Sequence, residues 1–331
     1  MRIALTAIVA LLAMLVVKFI LEGKSSQVGD RPLIAVVPMA TCDEYWKSIH
    51  AGAIKAAREC NAEILWQGPI TYNCNAQLDI LETMITRQVK AIVVAPIDRN
   101  ASRAAVENSS RSGIPVVVID SDLNSNRQVS FIATDNHKAG YLAGKYLAEL
   151  LHDKGQVVVL RGVAGHASTD NRERGFVEAI QEHPQIQVLS SNQRIGDSFE
   201  DSYKSAENLV NRFRLADGSE SINGIFCPNE SSTFAMLRVL QDDGLIGKLR
   251  FIGFDTSRKL NDALYAGQLD CLVVQNPVRM GYLGVKTAVD YCRGMKIDNC
   301  IDTGVTLATP GNAHEPRVHQ LLEPDLTQWL N

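Results

Sequence analysis

Two α/β lobes, each a doubly wound parallel sheet, joined by a hinge of crossing strands, are predicted by three features of this 331-residue chain. Short apolar runs alternate with segments of helical spacing. The runs are continuously apolar, as strands covered on both faces require. The alternation also restarts after residue 130, so the pattern occurs twice. In the first set "LIAVVP" (33–38), "AEILW" (62–66), "AIVVAP" (91–96) and "PVVVID" (115–120) are the strands. Residues 45–60, 75–88 and 101–112 carry apolar positions at helical spacing between them. "SFIATDNHKAG" (130–140) is the expected crossing point. Beyond it, "QVVVLRG" (156–162), "IQVLSS" (186–191), "INGIFCPN" (222–229), "LRFIGFD" (249–255) and "LDCLVVQN" (269–276) form the second set. Helices are predicted at about 136–151, 169–182, 199–213, 231–242, 257–266 and 278–293. Right-handed crossovers then dictate double winding.

Length and composition agree with two domains. The chain exceeds one ordinary core, and 46% hydrophobic with 21% charged residues describes a globular protein. A net charge of −4 supplies no broad basic field, which argues against nucleic acid as a partner. At the N-terminus Arg2 precedes "IALTAIVALLAMLVV" (3–17), then Lys18 and "FIL". A positive start and an apolar run of this length read as an export signal. There is no clear A-x-A site, and Lys18 can snorkel, so residues 1–22 are either a cleaved signal peptide or an uncleaved anchor spanning 3–21. Residues 23–32 are a polar linker. The expected lobes are 33–133 plus 277–308 and 134–276 plus 309–331. Seven cysteines suit an oxidising compartment, with Cys292 and Cys300 as a candidate loop-closing pair; Cys227 and Cys271, inside apolar runs, read as core residues.

In open parallel sheets ligands sit beyond the carboxyl ends of the strands. The residues at those exits are Asp43, Tyr45 and Trp46; Asp98; Asp120, Ser121 and Asp122; Asn229 and Glu230; Asp255; Gln275 and Asn276. Carboxylates and amides beside aromatic rings suit a small polyhydroxylated ligand, whose hydroxyls need fixed partners and whose C–H faces need flat surfaces. Any single Asp, Asn or Ser here also suits a helix cap, a role Asn229 and Asp255 both fit.

The order and spacing of these pieces carry a resemblance. "IAVVPMATCDEYWKSIHAGAIKAARE", "AIVVAPID", "GIPVVVIDSD", "FIATDNHKAGYLAGKYL", "NRERGFVEAI", "GIFCPNESSTFAMLRVLQ", "FIGFDTS" and "VVQNPVRMGYLGV" make the chain resemble type I periplasmic sugar-binding proteins of the ribose-binding kind, over about residues 33–295. That fold is shared with LacI-type repressor cores. The resemblance implies that Tyr45 and Trp46 are the aromatic pair that sandwiches the sugar ring, with Asp43 a nearby polar contact. It implies that Asp120 accepts sugar hydroxyls, and that Asn229, Asp255 and Gln275 supply contacts from the second lobe and hinge. Two departures stand out. Ser121 occupies the place of an arginine, and Asp170 stands where the family's ligand-binding arginine usually lies, with Arg172 and Arg174 close by. Phe199 lies near the second-lobe aromatic position. Fewer cations with several carboxylates point away from ribose itself, towards another pentose or hexose, a polyol or an amine.

No G-x-S-x-G elbow, Walker A loop or G-x-G-x-x-G is present. "HEPRVH" (314–319) has one residue too many for a zinc-protease motif. A repressor headpiece does not fit the apolar segment before Leu33. The resemblance therefore implies a non-enzymatic, monomeric solute-binding protein of the periplasm, free of cofactor and metal, that captures a monosaccharide and delivers it to an ABC permease. The alternative is a sensory protein presenting its ligand to a receptor histidine kinase. "DEYW", "LATPGNAHEP" and "LLEPDL" also resemble a periplasmic protein that hands its ligand to such a sensor.

Overall fold

Continuous runs of β-branched residues set the architecture. In the computed structural model, which describes residues 31–196, 198–215 and 221–330, the runs at Leu33–Val37 (β1), Ala91–Val94 (β3), Val116–Ile119 (β4) and Cys271–Val274 (β10) are almost wholly buried. Strands β2 (Glu63–Trp66), β5 (Ser130–Ala133) and β11 (Cys300–Asp302) complete a first sheet ordered β2-β1-β3-β4-β5-β11, all parallel. Strands β6 (Lys154–Val159), β7 (Gln185–Ser190), β8 (Gly224–Phe226), β9 (Arg250–Phe254) and β12 (Thr306–Ala308) join β10 in a second sheet ordered β7-β6-β8-β9-β10-β12. There β12 alone runs antiparallel, against β10. Apart from the terminal strands β11 and β12, the two sheets have the same winding. In each, the chain reverses its direction of travel across the sheet at the boundary between the first strand and its inner neighbour, β1/β3 and β6/β8.

Helices cover both faces of both sheets. They are α1 (Glu44–Glu59), α2 (Cys74–Thr86), α3 (Ala101–Arg111), α4 (Asn136–Leu150), α5 (Ala167–Gln181), α6 (Phe199–Arg212), α7 (Glu230–Asp242), α8 (Arg258–Tyr265), α9 (Pro277–Cys292), α10 (Pro316–Leu322) and α11 (Thr327–Leu330). Each sheet thereby separates two apolar clusters, which is why its strands read as unbroken hydrophobic runs. Helices α4 and α5 pack with backbones nearly touching. A Cβ on Gly140 of α4 would lie 1.8 Å from the Arg172 carbonyl oxygen, and one on Gly175 of α5 would lie 2.0 Å from that of His137. Only glycine permits this approach, and it fixes the height at which α5 presents Arg172.

The chain crosses between the sheets after β5, after β10 and between β11 and β12. Thr134 and Thr303 meet hydroxyl to hydroxyl at 3.3 Å, and the Thr134 hydroxyl donates to the Gly304 carbonyl at 3.1 Å, tying two crossings together. The expected lobe boundary at 308 is corrected here. Residues 306–308 pair with β10 in the second sheet, because the antiparallel edge beside β10 is the position open to a returning chain. The Cys292–Cys300 pairing is also absent. All seven cysteines are free, and the Cys292 thiol at the end of α9 turns to the Lys90 carbonyl. Residues 3–21, read as signal or anchor, lie outside the described residues. Among the described residues no helix is long and apolar enough to cross a membrane.

Candidate functional site

The carboxyl edges of the two sheets face one pocket of about 390 Å³, its open mouth included. The side chains that build it come from strand exits. Asp120 directly follows β4 and Asp255 directly follows β9. Both have positive φ, 63° and 69°, a conformation uncommon outside glycine but most accessible to Asn and Asp. Each amide still pairs with the next strand, Asp120 with the Ile132 carbonyl at 3.1 Å and Asp255 with Val273 at 2.9 Å. The left-handed turn therefore swings the carboxylate out of the sheet without breaking the ladder. Two such turns at equivalent places in two sheets mark a site under local constraint.

Between these carboxylates lies Arg172, 2% exposed. Its Nε donates to Asn136 Oδ1 at 2.8 Å and an Nη donates to the Pro228 carbonyl at 2.9 Å. Its guanidinium lies 3.9 Å from Asp255 Oδ2 and covers the Phe254 ring, 3.9 Å from the centroid. Burial raises the pKa of Asp120 and of Asp255, and Arg172 opposes both rises. Gln275 completes this layer, its Nε2 donating to Asp255 Oδ1 at 2.7 Å.

Tyr45 and Trp46 occupy the first turn of α1, after Asp43 at the N-cap position. The Tyr45 hydroxyl donates to Asp120 Oδ1 at 2.6 Å. The Trp46 Nε1 donates to the Tyr72 hydroxyl at 3.2 Å, which in turn donates to Asp43 Oδ2 at 2.6 Å. The expected two-sided sandwich is not the arrangement present. The two rings touch edge to face, centroids 5.0 Å apart and planes at 87°, and form adjacent walls of the pocket. The pair therefore offers a ligand two walls near right angles and not two opposed faces.

The structure brings Tyr45, Trp46, Asp120, Arg172, Asn229, Asp255 and Gln275 into this one pocket. Asp43 lines the wider outer cleft next to it. Ser121 is buried between the sheets' edges, where its hydroxyl oxygen accepts from the Ser168 amide at 3.1 Å. Asn229 is a helix cap as well as a lining residue: its Oδ1 accepts from the Ser232 amide at 3.1 Å within a capping box on α7. Asp255 does not cap the helix that follows it. Its Oδ2 accepts from the Glu230 amide at 3.1 Å, at the start of α7. Asp170 lies away from the pocket, 3.5 Å from Arg161 and 3.4 Å from Arg194. Two residues along a helix are about 200° apart, so Asp170 and Arg172 leave opposite faces of α5, and the pocket receives the cation. Phe199, half exposed, stands on the outer cleft beside Phe234 with centroids 5.3 Å apart.

Tyr72, His166, Ser168, Thr169 and Glu230 also line the pocket and were not among the predicted site residues. Tyr72 follows β2, and His166 to Thr169 follow β6. Reading the exits of those two strands in the same way would have found them. Glu230 was read at a strand exit but not carried into the site.

Pseudo-symmetric sheets with a shared pocket and three crossings define a two-lobed binding protein. The sequence profile "Periplasmic binding protein domain" matches residues 34–296, and the chain belongs to that family. Its fold is that of sugar solute-binding proteins of ABC transporters, a family of binding components and not of enzymes. The ribose import binding protein of Escherichia coli is 26% identical over 273 residues, 82% of this chain and 89% of that protein. A carbohydrate transporter solute-binding protein from Agrobacterium radiobacter, solved with D-arabinose, superposes with TM-score 0.84 at 27% identity, covering 89% of this chain and all of that one. An ABC transporter solute-binding protein from Agrobacterium vitis, solved with D-fucose, is 32% identical with TM-score 0.79, covering 88% of this chain and all of that one.

Proposed function

We propose that the protein is an extracytoplasmic solute-binding protein that captures a monosaccharide between its lobes and hands it to an ABC permease. In this reading one lobe comprises residues 33–133 with 277–302 and the other 134–276 with 306–322, the C-terminal residues 327–330 packing back on α1 of the first, and the protein acts as a monomer. The observation that carries it is the convergence of Asp120 and Asp255, from opposite sheets, on one pocket with Arg172 between them. Paired carboxylates, an amide and a guanidinium suit the vicinal hydroxyls of a pyranose, and Tyr45 and Trp46 give its C–H face two adjacent walls. The relatives solved with D-arabinose and D-fucose support the ligand class.

Contacts already cross between the lobes without a ligand. Glu44 Oε2 accepts from the Arg258 amide at 3.1 Å, and Asn136 Nδ2 donates to the Asp120 carbonyl at 3.2 Å. A ligand touching both lobes adds to these and shifts the population towards closure, the form a permease recognises. Residues 3–21 direct export, as a cleaved signal or as a tether; membrane fractionation and N-terminal sequencing of the exported protein separate the two.

Calorimetry and thermal shift against pentoses, hexoses and polyols test the ligand class. A ligand at ~100 times its Kd stabilises the protein by about 2.7 kcal/mol. Asp120→Ala and Trp46→Ala are each expected to lower affinity for that ligand at least tenfold. Retained affinity in both variants would place binding elsewhere. Whether the neighbouring genes encode a permease and ATPase or a histidine kinase, followed by uptake reconstituted with such a permease, tests delivery.

A further inference from the structure

Glu230 opens α7 and lines the pocket together with Tyr45, in the first turn of α1, from the opposite sheet. Its Oε2 is shielded from solvent and has no hydrogen-bond partner. Gln275, only 2% exposed, faces the same pocket; its Nε2 donates to Asp255 and its Oε1 is equally unpartnered. Two shielded oxygens thus lack partners in one pocket, and that of Glu230 becomes an acceptor for a ligand once its carboxyl gives up its proton. The charges around them are unbalanced. Asp120, Asp255 and Glu230 line the pocket, and Arg172 is the cation that lines it with them. Asp43 and Glu44 add negative charge at the start of α1, while Lys47 and Lys259 line the outer cleft and not this pocket.

From this geometry we propose that Glu230 is a specificity-determining residue and that the favoured ligand is a monosaccharide carrying a protonated amino group. The inference rests on the monosaccharide reading and narrows it. A hydroxyl offers one donor and no charge. An ammonium offers three donors and a positive charge, and charge-assisted bonds to carboxylates in a water-poor pocket are roughly twice as strong as neutral ones. Burial, then repulsion from Asp43, Asp255 and Glu44, pushes the Glu230 carboxyl up to about 9. Without ligand it therefore carries a proton at neutral pH. His166, Tyr72 and Arg172 also face this pocket, but an ammonium placed against Glu230 substitutes for that carboxyl's own proton. Amine binding accordingly releases a proton, and affinity rises with pH until the amine itself deprotonates.

The test is calorimetry on the full chain with matched pairs: D-glucose and D-glucosamine, D-galactose and D-galactosamine, D-mannose and D-mannosamine. In at least one pair the amino sugar is expected to bind tenfold or more tightly than its neutral partner. Its affinity should increase several-fold from pH 6 to pH 7.5. Glu230→Gln, after a thermal melt has confirmed folding, should reduce the amino-to-neutral affinity ratio at least tenfold. If neutral sugars bind as well as or better than every amino partner, the proposal is overturned and the monosaccharide reading stands. A wild-type amine affinity that is flat with pH, or a ratio unmoved by Glu230→Gln, also overturns it. If neither kind binds, the proposal is overturned, and the monosaccharide reading falls with it only when D-arabinose, D-fucose and the other neutral sugars also fail to bind.

Discussion

Arg172 concentrates the energetics of the site in one side chain. It is buried, hydrogen-bonded to Asn136 and Pro228, stacked on Phe254, and close to Asp255. A buried ion is tolerated only when its charge and donors are met, and removing one partner strands the other. Arg172→Ala is therefore expected to destabilise the fold by about 3–5 kcal/mol, read from urea unfolding midpoints. A loss below about 1 kcal/mol would show that the carboxylates find compensation elsewhere. The sequence offered two basic residues near the family position and an aspartate on it. Which one enters the pocket depends on the rotation of α5 about its axis, and Gly140 and Gly175 set that rotation through the contact with α4.

At the scale of the elements, strand exits and helix starts are the same residues, which is why cap and ligand contact are hard to separate by inspection. Asn229 is the clearest case, a capping box on α7 that also lines the pocket. Asn229→Ala should cost about 1 kcal/mol of stability through loss of the cap. Asn229→Ser keeps a cap oxygen and should retain most of that stability. If the amide also touches ligand, both variants lose affinity; thermal melts alongside calorimetry resolve the two roles. Strand identity and helix periodicity were legible from residue type, since buried parallel strands have few alternatives to Val and Ile. β11 and β12 were not legible as strands. Each is a three-residue segment of mixed polarity, held by its place at a sheet edge and not by its composition.

For the whole molecule, closing two lobes over carboxylates links stability to pH. Asp120, Asp255 and Glu230 all have raised pKa values, chiefly through burial. A raised carboxyl binds its proton more tightly in the folded than in the unfolded state. Its contribution is thus fully present below the usual carboxylate range, and for Glu230 it is lost as pH rises towards about 9. Wild type should therefore lose thermal stability relative to Glu230→Gln between about pH 5 and pH 8, by up to about 1.4 kcal/mol per pH unit. Parallel melting curves of the two proteins check this. Curves that stay parallel across that range would mean Glu230 is better solvated in solution than its surroundings here imply.

The sequence by itself determined the secondary structure up to the end of α9, the double winding and the edge at which a ligand site must lie, because these follow from hydrophobic period and from the geometry of parallel sheets. It also named half of the polar side chains in the pocket. Tertiary structure decided which of them face one another. The left-handed turns at Asp120 and Asp255, the outward-facing Asp170, the edge-to-face meeting of Tyr45 and Trp46, and the shielded Glu230 all depend on how the two sheets and their helices are set against each other. Local sequence fixes the direction of a side chain relative to its own backbone, but only packing across the cleft fixes what it meets.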